Sequence, residues 1–133
     1  MVNVHRTVAT AWPGEGLWYD GQISEADAIA SWTALATLLC SHWNVFAADL
    51  VNEPRKASWG RGRPTDWNKA AERLGNAVLA ACPRLLIFVQ GVSGDPGAQG
   101  DGGRDQGFFC ALIAESSNVC QRTSHHLDFG AVS

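Results

Sequence analysis

A chain of 133 residues is long enough for one compact domain with a buried core and too short for two ordinary ones. Apolar residues make up 46% and charged residues 17%, a globular rather than a disordered balance. Ten Lys and Arg against 13 Asp and Glu leave a net charge of −3, which argues against nucleic acid or an anionic membrane surface held by charge.

The longest apolar runs, Leu85–Val89 and the interrupted Val45–Val51, fall far short of the roughly 20 residues of a membrane span. The start, Met1-Val2-Asn3-Val4-His5-Arg6, has neither the apolar stretch nor the cleavage site of a secretory leader, so no leader is expected there. Six tryptophans (Trp12, Trp18, Trp32, Trp43, Trp59, Trp67) are many for this length. Each is open to two readings, core packing or a flat apolar face for the C–H side of a pyranose. The cysteines Cys40, Cys82, Cys110 and Cys120 show no Cys-x-x-Cys spacing. Cys40 lies in an apolar helical run and Cys82 follows an Ala-rich one, so both read as free buried thiols. Cys110, Cys120, His125 and His126 form no compact zinc knuckle, because nine residues separate the two cysteines. No metal or other cofactor is expected.

In chain order, Val2 to His5 reads as the tail of a strand. Ser24-Glu25-Ala26-Asp27 is a capping-box start, and Ile29, Trp32, Leu35, Ala36 and Leu39 recur at helical spacing, predicting a helix that ends near Ser41-His42. Val45 to Val51 follows as an apolar strand. A second helix, N-capped by Asp66, buries Ala70, Leu74, Ala77, Val78 and Ala81, and Cys82-Pro83 stops it. Leu85 to Gln90 is another apolar strand. Such runs suit strands buried on both faces of a parallel sheet, so the expected class is α/β, with two consecutive βαβ units. Three strands would leave both outer edges unpaired. Residues 93–133 read as a loop-rich tail: Ser93 to Gly107 is rich in glycine and lacks the Gly-Lys-Ser/Thr of a phosphate-binding loop.

The chemistry-bearing residues gather at the strand ends. Asp49-Leu50-Val51-Asn52-Glu53-Pro54 brings a carboxylate to the C-terminal end of a strand, and proline then turns the chain away. In parallel α/β folds that end forms the active-site face. There Glu53 is either a general acid with apolar walls raising its pKa or part of a turn onto solvent. His5 and Gln90 close the neighbouring strands, and Trp59 follows in the loop above. Such a rim, polar, carboxylate-bearing and lined with tryptophan, has the look of a carbohydrate site.

Several segments taken together resemble glycoside hydrolase family 5, and within it the secreted endo-β-1,4-glucanases (cellulases). They are Leu17-Trp18-Tyr19, the helix through Trp32, Asp49 to Pro54, Ser58-Trp59-Gly60, Asp66-Trp67 through Ala71-Glu72-Arg73-Leu74-Gly75-Asn76, and Pro83 through Val92. The resemblance covers residues 1–92 and implies part of a (β/α)8 TIM barrel, about strands three to five with their helices. It implies retaining hydrolysis of β-linked polysaccharide outside the cell. Glu53 would be the general acid/base and Asn52 would bind the hydroxyl beside the reacting carbon. His5 would contact substrate, Trp18 and Trp59 would line the cleft, and Trp32 and Trp67 would pack helices. Retention needs a second carboxylate roughly 5 Å from the first. The setting of Glu115 does not match the family's nucleophile strand, and none is found. The chain alone is therefore expected to be inactive, the alternative role being a non-catalytic carbohydrate-binding remnant of the same fold.

Overall fold

In a computed structural model, the structure describes residues 1–5 and 16–92 with their side chains, and residues 109–112 as backbone. The elements are β1 (Val2–Asn3), α1 (Glu25–Leu39), β2 (Ala47–Asp49), α2 (Trp67–Ala81), β3 (Leu86–Gln90) and β4 (Phe109–Leu112). They form one sheet in the order β1-β2-β3-β4. The first three strands are parallel, with Val2 opposite Ala48 and Ala48 opposite Ile87. Two βαβ units in succession are thus present as expected. β4 departs from expectation: it runs antiparallel to β3, pairing Phe109 with Gln90, inside the stretch read as loop. It covers the edge of β3 that a three-strand sheet would leave open.

Local sequence accounts for both helices. Ser24 caps α1 through a capping box: its Oγ accepts from the Asp27 N–H, while the Asp27 carboxylate accepts from the Ser24 N–H at 2.9 Å. α1 stops at Leu39, short of Ser41-His42, and a residue far along the chain satisfies the carbonyls left at and beyond its end: Arg84 donates to those of Leu39, Cys40, His42 and Val45. Asp66 precedes α2 but makes no side-chain cap. Its carboxylate turns back to accept from Ser58 Oγ and from the N–H groups of Gly62 and Arg63, tying down the loop that carries Trp59.

The core lies between the helices and the sheet. Trp32, Ala36, Ala70, Leu74 and Val78 pack with Leu50, Ile87 and Val89, all buried. Gly75 lets α2 approach closely, since a Cβ there would lie 3.4 Å from the Ile87 side chain and 3.8 Å from that of Leu50. The indole N–H of Trp32 donates to the Leu50 carbonyl and that of Trp67 to the Gln90 carbonyl, so these two pack helices as expected.

Cys40 and Cys82 are not free thiols. They form a disulfide with their Cα atoms 5.5 Å apart. The two cysteines end α1 and α2, and βαβ winding brings those ends side by side, within bridging distance. Sequence spacing cannot show that approach, because the two lie 42 positions apart in the chain. Among the described residues no helix is long and apolar enough to cross a membrane.

Candidate active site

Alternation along β3 puts Ile87 and Val89 on the helix side of the sheet and Phe88 and Gln90 on the other. Among the described residues, those between a strand's C-terminal end and the next helix lie at one end of the sheet. His5, Trp18, Asn52, Glu53, Trp59 and Gln90 all belong to that end. The main chain fastens it: the Val4 N–H donates to the Asp49 carbonyl, and the Asn52 N–H donates to the Val4 carbonyl at 3.0 Å. His5, just beyond, is exposed.

Glu53 sits at φ 46°, the left-handed region that costs a non-glycine residue on the order of 1–3 kcal/mol. Surrounding contacts hold it there. Its N–H donates to Gln90 Oε1 at 2.9 Å, its carbonyl accepts from the Arg55 N–H, and Pro54 beyond it is buried. The carboxylate points outward, with its side chain 46% exposed, and pairs with Arg55 Nη2 at 2.7 Å. The apolar wall expected around it is not found among the described residues.

Gln90 stands at the rim as expected, but its amide faces inward. While Oε1 holds Glu53, Nε2 donates to Asp49 Oδ2 at 2.7 Å and lies 3.4 Å from Asn52 Oδ1. Gln90, expected to bind substrate, makes a hydrogen bond within the protein at each end of its amide, and one lone pair of Oε1 is left over. Asp49, absent from the expected site, is its main anchor. It is 3% exposed, accepts from Asn3 Nδ2 at 2.8 Å, and leaves Oδ1 without a partner. Burial pushes its carboxyl above the ordinary value, against hydrogen bonds from Gln90 and Asn3 and the nearby charge of His5. The signal was present in the sequence, since an ionisable residue within a strand buried on both faces must find partners.

For Trp18 the expectation of lining the cleft is corrected. It is 1% exposed, packs against Trp67 with ring centres 5.2 Å apart and planes tilted by 37°, and donates from Nε1 to Glu25. A sugar cannot reach its faces. Trp59 is half-buried on the fastened loop, where the neighbouring Gly60 N–H donates to Asn68 Oδ1. Trp43 is 89% exposed but lies between α1 and β2, at the opposite end of the sheet. Trp12, Glu115, the glycine-rich stretch and the rejected zinc grouping lie outside the residues whose side chains are described. Among the described residues no three His, Cys, Asp or Glu side chains are grouped to hold a metal ion.

The family model for cellulase (glycosyl hydrolase family 5) matches residues 1–111. The chain belongs to glycosyl hydrolase family 5. The match runs past residue 92, where the sequence resemblance stops, and through most of β4. An endoglucanase of Paenibacillus polymyxa is 45% identical over 95 residues, covering 67% of this chain and 23% of the relative. The major extracellular endoglucanase of Xanthomonas campestris pv. campestris is 44% identical, covering 65% of this chain and 18% of the relative. Among solved structures, the Pyrococcus horikoshii endocellulase superposes with a TM-score of 0.63 at 43% identity, covering 67% of this chain and 27% of that one. The catalytic domain of the Xanthomonas endoglucanase gives 0.62 at 43%, with coverage of 66% and 26%. This member of family 5 therefore spans about a quarter or less of the length of these relatives.

Proposed function

We propose that this chain carries the acid/base side of a retaining β-1,4-glucan hydrolase, built on about the third to fifth strands of a (β/α)8 barrel. Glu53 is the general acid/base, Asn52 binds the hydroxyl beside the reacting carbon, and His5 and Trp59 contact the sugar. The observation that carries this reading is the Asn52-Glu53-Pro54 turn at the C-terminal end of β2. It is held in a costly conformation with its carboxylate directed outward, in a chain of family 5. A Pyrococcus horikoshii neighbour was solved with cellotetraose, which supports a β-glucan as the ligand class. The name of the Xanthomonas relative and the Cys40–Cys82 disulfide, a bond favoured in oxidising compartments, support an extracellular setting.

A retaining mechanism needs a nucleophilic carboxylate roughly 5 Å from Glu53. The other described carboxylates serve elsewhere. Asp20 accepts from the Gln22 and Ile23 N–H groups, Glu25 binds Trp18 and Arg73, Asp27 caps α1 and Glu72 pairs with Lys69. Asp49 is buried beneath Gln90, and Asp66 ties the Trp59 loop. Among the described residues none is placed to serve as that nucleophile, and a binder of β-glucan without turnover is the second reading.

Titrating the isotope-labelled chain with cellotetraose, and separately with an α-linked glucan of equal length, tests the proposal. Shifts at Asn52, Glu53 and the Trp59 indole with the β-linked sugar only are the expected result. No response at millimolar sugar overturns the ligand class. Hydrolysis of soluble β-glucan by this chain alone would show that the second carboxylate lies within it.

A further inference from the structure

The amide of Gln90 is the junction through which a buried carboxylate reaches the backbone of Glu53. Its carbonyl end accepts the Glu53 N–H at 2.9 Å and its NH2 end donates to Asp49 Oδ2 at 2.7 Å. A primary amide has one accepting and one donating end, and only the donating end can face a carboxylate. Asp49 is almost wholly buried, so no water competes for that choice. Its Oδ2 is further held by Asn3 from β1, so the acceptor cannot swing away. Turning the Gln90 amide over would set carbonyl against carboxylate and NH2 against N–H, losing both bonds at once. Asp49 thus determines which end of Gln90 meets Glu53, and Glu53 is the residue whose left-handed φ of 46° most needs an outside tie.

A buried carboxylate with one oxygen unpartnered is a poor choice for stability alone. What the carboxylate does supply is an acceptor shared by the Asn3 and Gln90 side chains, and with it a fixed direction for the Gln90 amide.

We propose that Gln90 is a positioning residue for Glu53 rather than a sugar ligand, and that Asp49 is the buried key setting the direction of its amide. The inference rests on the reading of Glu53 as acid/base, because the turn it stabilises aims that carboxyl. The juxtaposition is the Asp49–Gln90–Glu53 chain across the ends of β2 and β3.

The first measurement needs no substitution. A scalar coupling across the hydrogen bond, between Glu53 ¹⁵N and the Gln90 side-chain carbonyl carbon, is expected in the labelled 133-residue chain. Its absence overturns the proposal. The second compares Gln90→Leu, Asp49→Leu and Asp49→Asn. Exchange of the Glu53 amide is expected to rise about tenfold in Gln90→Leu, and in the same direction in Asp49→Leu. Asp49→Asn keeps an acceptor oxygen for Asn3 and Gln90 and is expected to restore slow exchange. The Leu74 and Val78 amides of α2 should stay protected throughout. Unchanged Glu53 exchange in folded Gln90→Leu, or Asp49→Asn behaving as Asp49→Leu, overturns the proposal. None of these readouts involves sugar, so silence toward cellotetraose overturns the ligand reading alone, whereas a missing coupling overturns this one.

Discussion

Trp18 Nε1 donates to Glu25 Oε2 at 2.7 Å, and the same carboxylate receives Arg73 Nε at 2.6 Å on Oε1 and Nη2 at 3.0 Å on Oε2. One acidic side chain in the first turn of α1 therefore satisfies a buried indole and clasps α2. The Arg73 hydrogen bonds hold the Glu25 carboxyl below its ordinary value of 4.5, outweighing partial burial, with Trp18 adding in the same direction. A lowered folded value contributes stability that is present above the ordinary value and lost as pH falls through the lowered one. Glu25→Ala leaves the Trp18 N–H buried without an acceptor and is expected to cost about 1–3 kcal/mol at neutral pH. Urea midpoints from pH 3 to 6 should show a shallower acid limb in the variant. An unchanged limb would mean that the clasp is absent in solution.

What the sequence made legible was local. The Ser24 capping box, the small-residue face of α2, the parallel strands and the Asn52-Glu53-Pro54 turn all follow from neighbours within a few positions. The features that escaped it depend on groups distant in the chain. Arg84 satisfies carbonyls at the end of α1 from beyond α2, Cys40 finds Cys82, and the Gln90 amide turns from solvent toward Asp49. Trp18 was misplaced for the same reason, since nothing near Leu17-Trp18-Tyr19 shows that Trp67 and Glu25 enclose it.

The Cys40–Cys82 bridge joins positions 42 apart and closes a loop that contains β2, the Asn52-Glu53-Pro54 turn and α2. Chain-entropy reasoning assigns such a crosslink roughly 4 kcal/mol, arising mainly in the unfolded chain. Cys40→Ser with Cys82→Ser should lower Tm by many degrees, and dithiothreitol should lower it in the native chain but not in the double variant. An identical melting curve for the native chain with and without reductant would show that the bond does not form.

Gly16 tests how tightly the turn is framed. At φ +66° a Cβ on residue 16 would lie 2.7 Å from the backbone nitrogens of Arg55 and Lys56, and the Lys56 N–H donates to the Gly16 carbonyl. Gly16→Ala is expected to cost at least about 1 kcal/mol and to shift the Arg55 and Lys56 amide resonances. Gly21, which has open space and no positive φ, provides the comparison: Gly21→Ala should be close to neutral. Equal effects at the two positions would contradict the contact.

Asp49 should give the chain a pH dependence opposite in sign to that of Glu25. Burial raises its carboxyl above the ordinary value, opposed by Gln90, Asn3 and the charge of His5, so the folded chain holds this proton more tightly than the unfolded one. The stability this contributes is fully present below the ordinary value and is lost as pH rises through the raised folded value. Asp49→Asn removes the titration while keeping an acceptor for Asn3 and Gln90. Relative to the native chain it is therefore expected to gain stability steadily from acid to neutral pH and then level off. Denaturant midpoints of the two chains across that range, at fixed ionic strength, check this directly. A gap that narrows with rising pH would mean that Asp49 is ionised more easily in the folded chain than in the unfolded one, and that its burial does not dominate its charge.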